Sequence, residues 1–208
     1  MNKKETVKEI KKIFDVEYAD AECSLDHIDP LQLLIATQLA AQCTDARVNL
    51  VTPALFKRYP DAKAFAEADI LELEDMIHTT GFFRNKAKNI IGCCKRLLAV
   101  YQGIVPDNME DLLTLPGVGR KTANIILGDI YHKPAVVVDT HCKRIAYRIG
   151  LTNQKDPTKV EFDLLKIIAP EYTSTFCHQL VYHGRAQCKA QSPKCDICCI
   201  RHLCKQRI

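Results

Sequence analysis

The chain is predicted to be all-α, on three observations. Apolar residues recur at helical spacing from residue 5 to residue 183, and capping or breaking residues punctuate the segments between them. The only strand-like run, Ala135-Val136-Val137-Val138, has four residues and no obvious partner, so it reads as a buried connector. No internal repeat, low-complexity tract or long linker interrupts the pattern. With 208 residues, 47% hydrophobic and 26% charged, the chain can bury a substantial core as one large domain or two small ones.

Each element has a local cause. Val7, Ile10, Ile13 and Phe14 predict an amphipathic helix over 5–15, in place of a signal-peptide apolar block, so a cytoplasmic location is expected. No uncharged apolar run of 18 residues occurs, so no transmembrane span is expected. Pro30 opens a strongly apolar helix over 31–39, with proline at the tolerated first turn and burial expected nearly all round. Thr44 or Asp45 can cap a helix running through Val48, Leu50, Val51 and Leu55 to Tyr59. Further helices are expected over 62–66, 70–79 and 85–101, the last ended by Gly103. Met109, Leu112, Leu113 and Leu115 read as one short helix, and Ala123, Ile125, Ile126 and Ile130 as another. Beyond the connector, Cys142, Ile145, Ala146 and Ile149 lead to Gly150. Asp156-Pro157 starts a helix through Val160, Leu164, Leu165 and Ile168, and Phe176, Leu180 and His183 mark the last.

The stretch that joins the two short helices carries the chemistry. In Leu115-Pro116-Gly117-Val118-Gly119-Arg120-Lys121-Thr122-Ala123-Asn124, two glycines two apart permit a tight hairpin whose backbone can approach another molecule closely. A helix starting at Val118 or Gly119 aims its free N–H groups and positive dipole end at that hairpin, which suits phosphate. Lys121 falls in the first turn, where the dipole disfavours a cation, and is a candidate nucleophile; the bland alternative is a simple phosphate contact.

Charge and cysteine placement add to this. Residues 181–208 hold six Lys and Arg against Asp196 alone, a net +5 out of +4 overall, so the other 180 residues carry about −1. A basic tail suits a polyanion, although a solvated face explains the charge equally well. The stretch 61–75, with six acidic residues and one lysine, reads as a solvated helix surface turned away from nucleic acid. Eleven cysteines in a chain of this kind are more readily ligands or small buried hydrophobes than disulfides. Four of them, Cys188, Cys195, Cys198 and Cys204, stand close enough to wrap one centre. Zinc would accept four thiolates and so would an iron–sulfur cluster, and Cys199 in place of Cys198 is chemically open.

Leu115 to Asn124 resembles the helix-hairpin-helix of DNA repair glycosylases, and Val138-Asp139-Thr140-His141 looks like the aspartate segment that follows it in that superfamily. With Lys121 and the tail cysteines, the chain most resembles the endonuclease III family of bifunctional glycosylase/abasic-site lyases, over roughly residues 25–208. The resemblance implies a six-helix domain at 22–132 carrying the hairpin at 109–130. A second, discontinuous domain would comprise 1–21 and 133–208, with a [4Fe-4S] loop at 188–204 held by Cys188, Cys195, Cys198 and Cys204. A cleft would lie between the two.

By the same resemblance Lys121 and Asp139 are catalytic, although Asp139 on its own reads as a helix cap for His141-Cys142-Lys143, a role that need not exclude catalysis, and the partner is duplex DNA with damaged bases or abasic sites, bound by a monomer with no membrane, at the nucleoid. Leu115, Gly117, Gly119, Arg120, Lys189 and Lys194 would contact DNA. A base in a duplex must be flipped out and the gap filled. Gln42 looks like one plug, and Phe82 occupies the other plug position, where the family commonly has leucine; the alternative for Phe82 and Phe83 is a core role. Asp45 and His141 look like pocket positions, with cap or core roles as alternatives.

The chemistry needs these residue types. Breaking the bond from C1′ to the base nitrogen develops positive charge on the sugar, which a carboxylate such as Asp139 stabilises while accepting a proton. An amine attacking C1′ displaces the base and leaves a Schiff base, from which the 3′ phosphate departs by β-elimination. Water in its place would give base removal alone. The expected activity is excision of oxidised pyrimidines followed by strand cleavage. Rival readings are an adenine-mismatch glycosylase, against which Lys121 argues, and a non-catalytic hairpin or cluster protein that only binds DNA.

Overall fold

The computed structural model describes residues 1–208, and it contains helices and loops with no strand. The chain folds into two compact units, one of Met1–Glu22 with His132–Ile208 and one of Cys23–Tyr131. No helix is long and apolar enough to cross a membrane.

In the central unit, α2 (Pro30–Leu39) starts at an Asp29 cap with Pro30 in its first turn, and residues 33–39 are all buried. That burial matches its apolar run. Thr44, not Asp45, caps α3 (Asp45–Arg58) by accepting from the Arg47 N–H. Next come α4 (Ala62–Ala66) and α5 (Ile70–Ile77), capped by Asp61 and Asp69, and a 3₁₀ turn over His78–Thr80. α6 (Phe83–Tyr101) begins two residues before the expected start at 85, because Phe82 takes a left-handed conformation (φ 48°) that turns the chain straight into the helix. It ends with Gln102 and Gly103 both at positive φ. α7 (Met109–Leu112) is a single turn, shorter than the pattern suggested, and α8 (Arg120–Ile125) continues through a π turn at Ile126–Ile130. Seven helical segments result, six if the single-turn α7 is set aside.

In the other unit, α1 (Lys3–Glu17) is longer than the apolar spacing alone indicated. A capping box extends its start: the Asn2 side chain accepts from the Glu5 N–H at 3.0 Å, and the Glu5 carboxylate accepts from the Asn2 N–H at 2.8 Å. The run 135–138 forms no strand; Ala135 donates its N–H to Thr173 Oγ1 at 3.0 Å and Val136 is fully buried. α9 (Thr140–Ile149), α10 (Pro157–Leu165) and α11 (Thr173–Ala186) follow. The core of this unit joins Ile10 and Phe14 of α1 to Ile145 and Ile149 of α9 and Phe176 and Leu180 of α11.

Candidate active site and cysteine centre

The hairpin is a type II turn. Pro116 and Gly117 occupy its middle, Val118 donates its N–H back to the Leu115 carbonyl at 3.1 Å, and Gly117 sits at φ 75°. Leu115 and Val118 are buried and pin the turn to the unit's core. The two glycines differ in kind. A Cβ at Gly117 would lie 2.7 Å from Gln38 Oε1 and 2.9 Å from Asn89 Cβ, whereas a Cβ at Gly119 would meet nothing within 4 Å. The protein's own packing therefore requires Gly117, while Gly119 keeps its clearance towards the outside.

Gly119 heads α8 without a side-chain cap, so the first-turn N–H groups of this helix remain available to an external anion. Lys121 lies in that first turn, exposed and without a salt bridge or hydrogen bond. Arg120 beside it is partly buried.

Asp139, in the other unit, is the N-cap of α9: Oδ1 accepts from the Cys142 N–H at 2.7 Å. The cap fixes the carboxylate's orientation and leaves Oδ2 without a protein hydrogen bond. Two residues on, His141 accepts from Arg144 Nη2 at its Nδ1 over 3.2 Å, which puts the ring proton on Nε2. Burial pushes the His141 pKa below its usual value, opposed by the Asp139 charge and assisted by Arg144 and Arg185. The ring packs against Gly184, where any Cβ would run into Nδ1. His141 is thus tied to α11 within its own unit.

The central unit also brings Gln42, Phe82 and Gly117 around one recess of about 170 Å³. Gln42 (φ 55°) and Phe82 (φ 48°) are both held at left-handed tips, and Phe82 is 63% exposed, so the core role for it is excluded. Phe83 is the partly buried one and packs at a tilt against His78, ring centroids 4.5 Å apart. Asp45 stands partly exposed in the first turn of α3.

Two further residues of this recess carry no signal in the sequence. Lys86 is buried and donates to the Leu39 carbonyl at 2.7 Å and the Thr80 carbonyl at 2.8 Å, clamping the C-terminal end of α2 to the turn before Phe82. Burial lowers its pKa. Gln38 is 5% exposed, and its amide makes no hydrogen bond within the protein. Neither departs from helical spacing in a way that sequence could flag.

Cys188, Cys195, Cys198 and Cys204 line one recess that opens to solvent; Cys199 does not line it. No three His, Cys, Asp or Glu side chains converge closely enough to hold a bare ion. Four thiols around one recess, set too far apart to close on one ion, fit a polynuclear iron–sulfur group better than the tetrahedral zinc that composition left open. Hydrogen-bond donors reach two of the sulfurs. Arg148 Nη1 donates to Cys188 Sγ at 3.4 Å and to the Lys189 carbonyl at 2.7 Å, Arg144 Nη2 donates to the Cys188 carbonyl at 2.8 Å, and the Gln206 N–H donates to Cys204 Sγ at 3.3 Å. Lys189 and Lys194 are exposed on the intervening loop.

Comparison with known proteins agrees with this geometry. Residues 35–170 match the family model described as HhH-GPD superfamily base excision DNA repair protein, and residues 188–204 match the iron–sulfur binding domain of endonuclease III. Endonuclease III of Synechocystis sp. is 53% identical over 204 residues, covering 98% of this chain and 93% of that protein. The Bacillus subtilis endonuclease III is 41% identical, covering 95% and 90%. A solved non-covalent endonuclease III–DNA complex superimposes with a TM-score of 0.92 at 42% identity over 99% of this chain and 97% of that one. A thermostable thymine-DNA glycosylase shares the fold at a TM-score of 0.87 and 20% identity, covering 97% and 96%. Taken with the hairpin, the capped aspartate and the four-thiol recess, these matches make the chain a base excision DNA repair protein of the HhH-GPD superfamily, belonging within it to the endonuclease III family and carrying that family's iron–sulfur binding domain.

Proposed function

We propose that this protein is a bifunctional glycosylase and abasic-site lyase that works as a monomer on duplex DNA, removing oxidised pyrimidines and then cutting the strand. The observation that carries the lyase reading is Lys121, an exposed and unpartnered amine in the first turn of the helix that follows the hairpin. In this reading the hairpin N–H groups and the positive end of α8 hold a backbone phosphate, with Gly117, Gly119 and Arg120 against the strand, while Leu115, expected from the sequence to touch DNA, is 2% exposed and supports the turn from the core instead. Lys121 Nζ attacks C1′ and the damaged base leaves. Oδ2 of Asp139 stabilises the positive charge developing on the sugar and takes a proton from the attacking nitrogen. The Schiff base acidifies the neighbouring C2′ proton; its loss expels the 3′ phosphate, and hydrolysis frees Lys121. Gln42 and Phe82 fill the gap left by the flipped nucleotide, the exposed aromatic ring supplying a stacking face where leucine would only wedge. Asp45 and His141 are assigned to the surroundings of the extruded base.

The [4Fe-4S] cluster is assigned to Cys188, Cys195, Cys198 and Cys204. When bound, it cross-links four chain positions and so fixes the loop from which Lys189 and Lys194 present their charges to phosphate. Because Cys198 lines the recess and Cys199 does not, Cys198→Ala is expected to lose iron and visible colour, while Cys199→Ala keeps both. Iron analysis of the two purified variants checks this, and equal loss would move the ligand assignment.

The glycines give a second expectation. Gly117→Ala forces a side chain into left-handed backbone against Gln38 and Asn89, and should destabilise the protein by about 1–3 kcal/mol. Gly119→Ala meets no atom of the protein, so its melting temperature should stay at the parental value while its affinity for abasic DNA falls. Thermal melts beside anisotropy titrations separate the two. The proposed activity itself is tested on duplexes with single defined lesions, scored separately for base release and strand cleavage. Release of oxidised pyrimidines with coupled cleavage supports it. Release without cleavage would leave a monofunctional enzyme.

A further inference from the structure

A chain of hydrogen-bonding groups runs from the first helix to the cysteine centre. Tyr18, the C-cap of α1, places its hydroxyl 3.0 Å from Nδ1 of His183 on α11, and Nε2 of the same ring lies 3.7 Å from Cys198 Sγ. The imidazole is 1% exposed and is held between aromatic rings, with centroids 5.0 Å from Phe14 and 5.8 Å from Tyr18. A cysteine sulfur bound to iron has lone pairs and no proton, so an imidazole nitrogen facing it serves it only by donating N–H. With the proton on Nε2, Nδ1 is an acceptor, and the Tyr18 hydroxyl must then donate to it. Both protons point along the chain towards sulfur.

We propose that Tyr18 and His183 form a hydrogen-bond relay that withdraws electron density from the Cys198 sulfur and so sets the reduction potential of the cluster, which makes both of them positioning residues. The inference rests on the assignment of Cys198 as a ligand. A hydrogen bond to a ligating sulfur weakens its donation to iron and favours the more reduced, more negatively charged cluster, so the relay raises the potential. Arg148 also reaches a ligand sulfur, that of Cys188 at 3.4 Å, but the same guanidinium bonds the Lys189 and Ala190 carbonyls and works as a staple for the loop. His183, by contrast, has Tyr18 and Cys198 as its hydrogen-bond partners. The two residues stand 165 apart in sequence, so the relay couples the very first helix to the tail's cofactor.

The experiment compares cluster-loaded wild type with Tyr18→Phe, His183→Leu and His183→Gln by protein-film voltammetry and by resonance Raman of the Fe–S(Cys) stretches. Tyr18→Phe keeps the ring that packs on Phe14 at 5.2 Å and removes only the donor, so α1 stays in place. The expected result is a more negative midpoint and higher Fe–S(Cys) stretching frequencies in Tyr18→Phe, a larger shift in His183→Leu, and partial return in His183→Gln, whose amide can still donate to sulfur. A purely structural role would lower melting temperatures and leave both readouts at wild-type values, and that result overturns the relay. If His183→Leu fails to fold, Tyr18→Phe and His183→Gln decide between the same two outcomes. Cys198→Ala with full iron content would refute the ligand assignment itself, a failure that this variant distinguishes from failure of the relay.

Discussion

Lys121→Ala is expected to abolish strand cleavage at an abasic site, bringing it down to the rate without protein, while leaving the fold intact. The side chain makes no hydrogen bond or ion pair and lies exposed in the first turn of α8, so its removal should move stability by no more than about 0.5 kcal/mol. Alanine is also the best helix former, which favours the helix if anything. The hairpin that would grip phosphate is untouched, so affinity for abasic DNA should fall only by the loss of one cation. A variant that folds, binds and does not cut isolates the amine's covalent role from electrostatic attraction. Gel assays of cleavage beside binding titrations read this directly.

Asp139→Asn is expected to slow base release by about 10²–10⁴-fold. The substitution is informative because asparagine is as good an N-cap as aspartate, so the bond to the Cys142 N–H at 2.7 Å can be kept while the negative charge is lost. Stability should barely change. Asp139→Ala, which loses the cap as well, should add a stability cost of about 1 kcal/mol to the same kinetic defect. If Asp139→Asn kept both stability and full activity while Asp139→Ala lost only stability, the carboxylate would be a cap and nothing more. Single-turnover kinetics on a lesion-bearing duplex, paired with thermal melts, separates the two roles.

What the sequence made legible is local, and what it hid is long-range. The hairpin could be read because Pro116 and Gly117 dictate their backbone within the turn itself, and α2 because Asp29, Pro30 and a solid apolar run agree on its start and burial. The four tail cysteines announced a centre by spacing, and the three-dimensional recess then separated Cys198 from its neighbour Cys199. The early start of α6 was invisible, since nothing marks Phe82, a residue with a Cβ, for left-handed backbone. Lys86 reads as one more surface lysine on a helix, and only the carbonyls of Leu39 and Thr80, brought to it by the fold, reveal a buried clamp. Tyr18 and His183 likewise look like ordinary helix residues until α1 and α11 pack together. Asp139 stood between: its capping position was readable from the residues after it, but the free Oδ2 that its proposed chemistry uses was not.

The most direct measurement is borohydride reduction of the protein mixed with a duplex carrying one abasic site, followed by peptide mapping of the product. The imine mechanism predicts a covalent protein–DNA adduct at Lys121 that is missing from Lys121→Ala. No adduct from the wild-type protein, or an adduct of undiminished yield at another residue in Lys121→Ala, would contradict it.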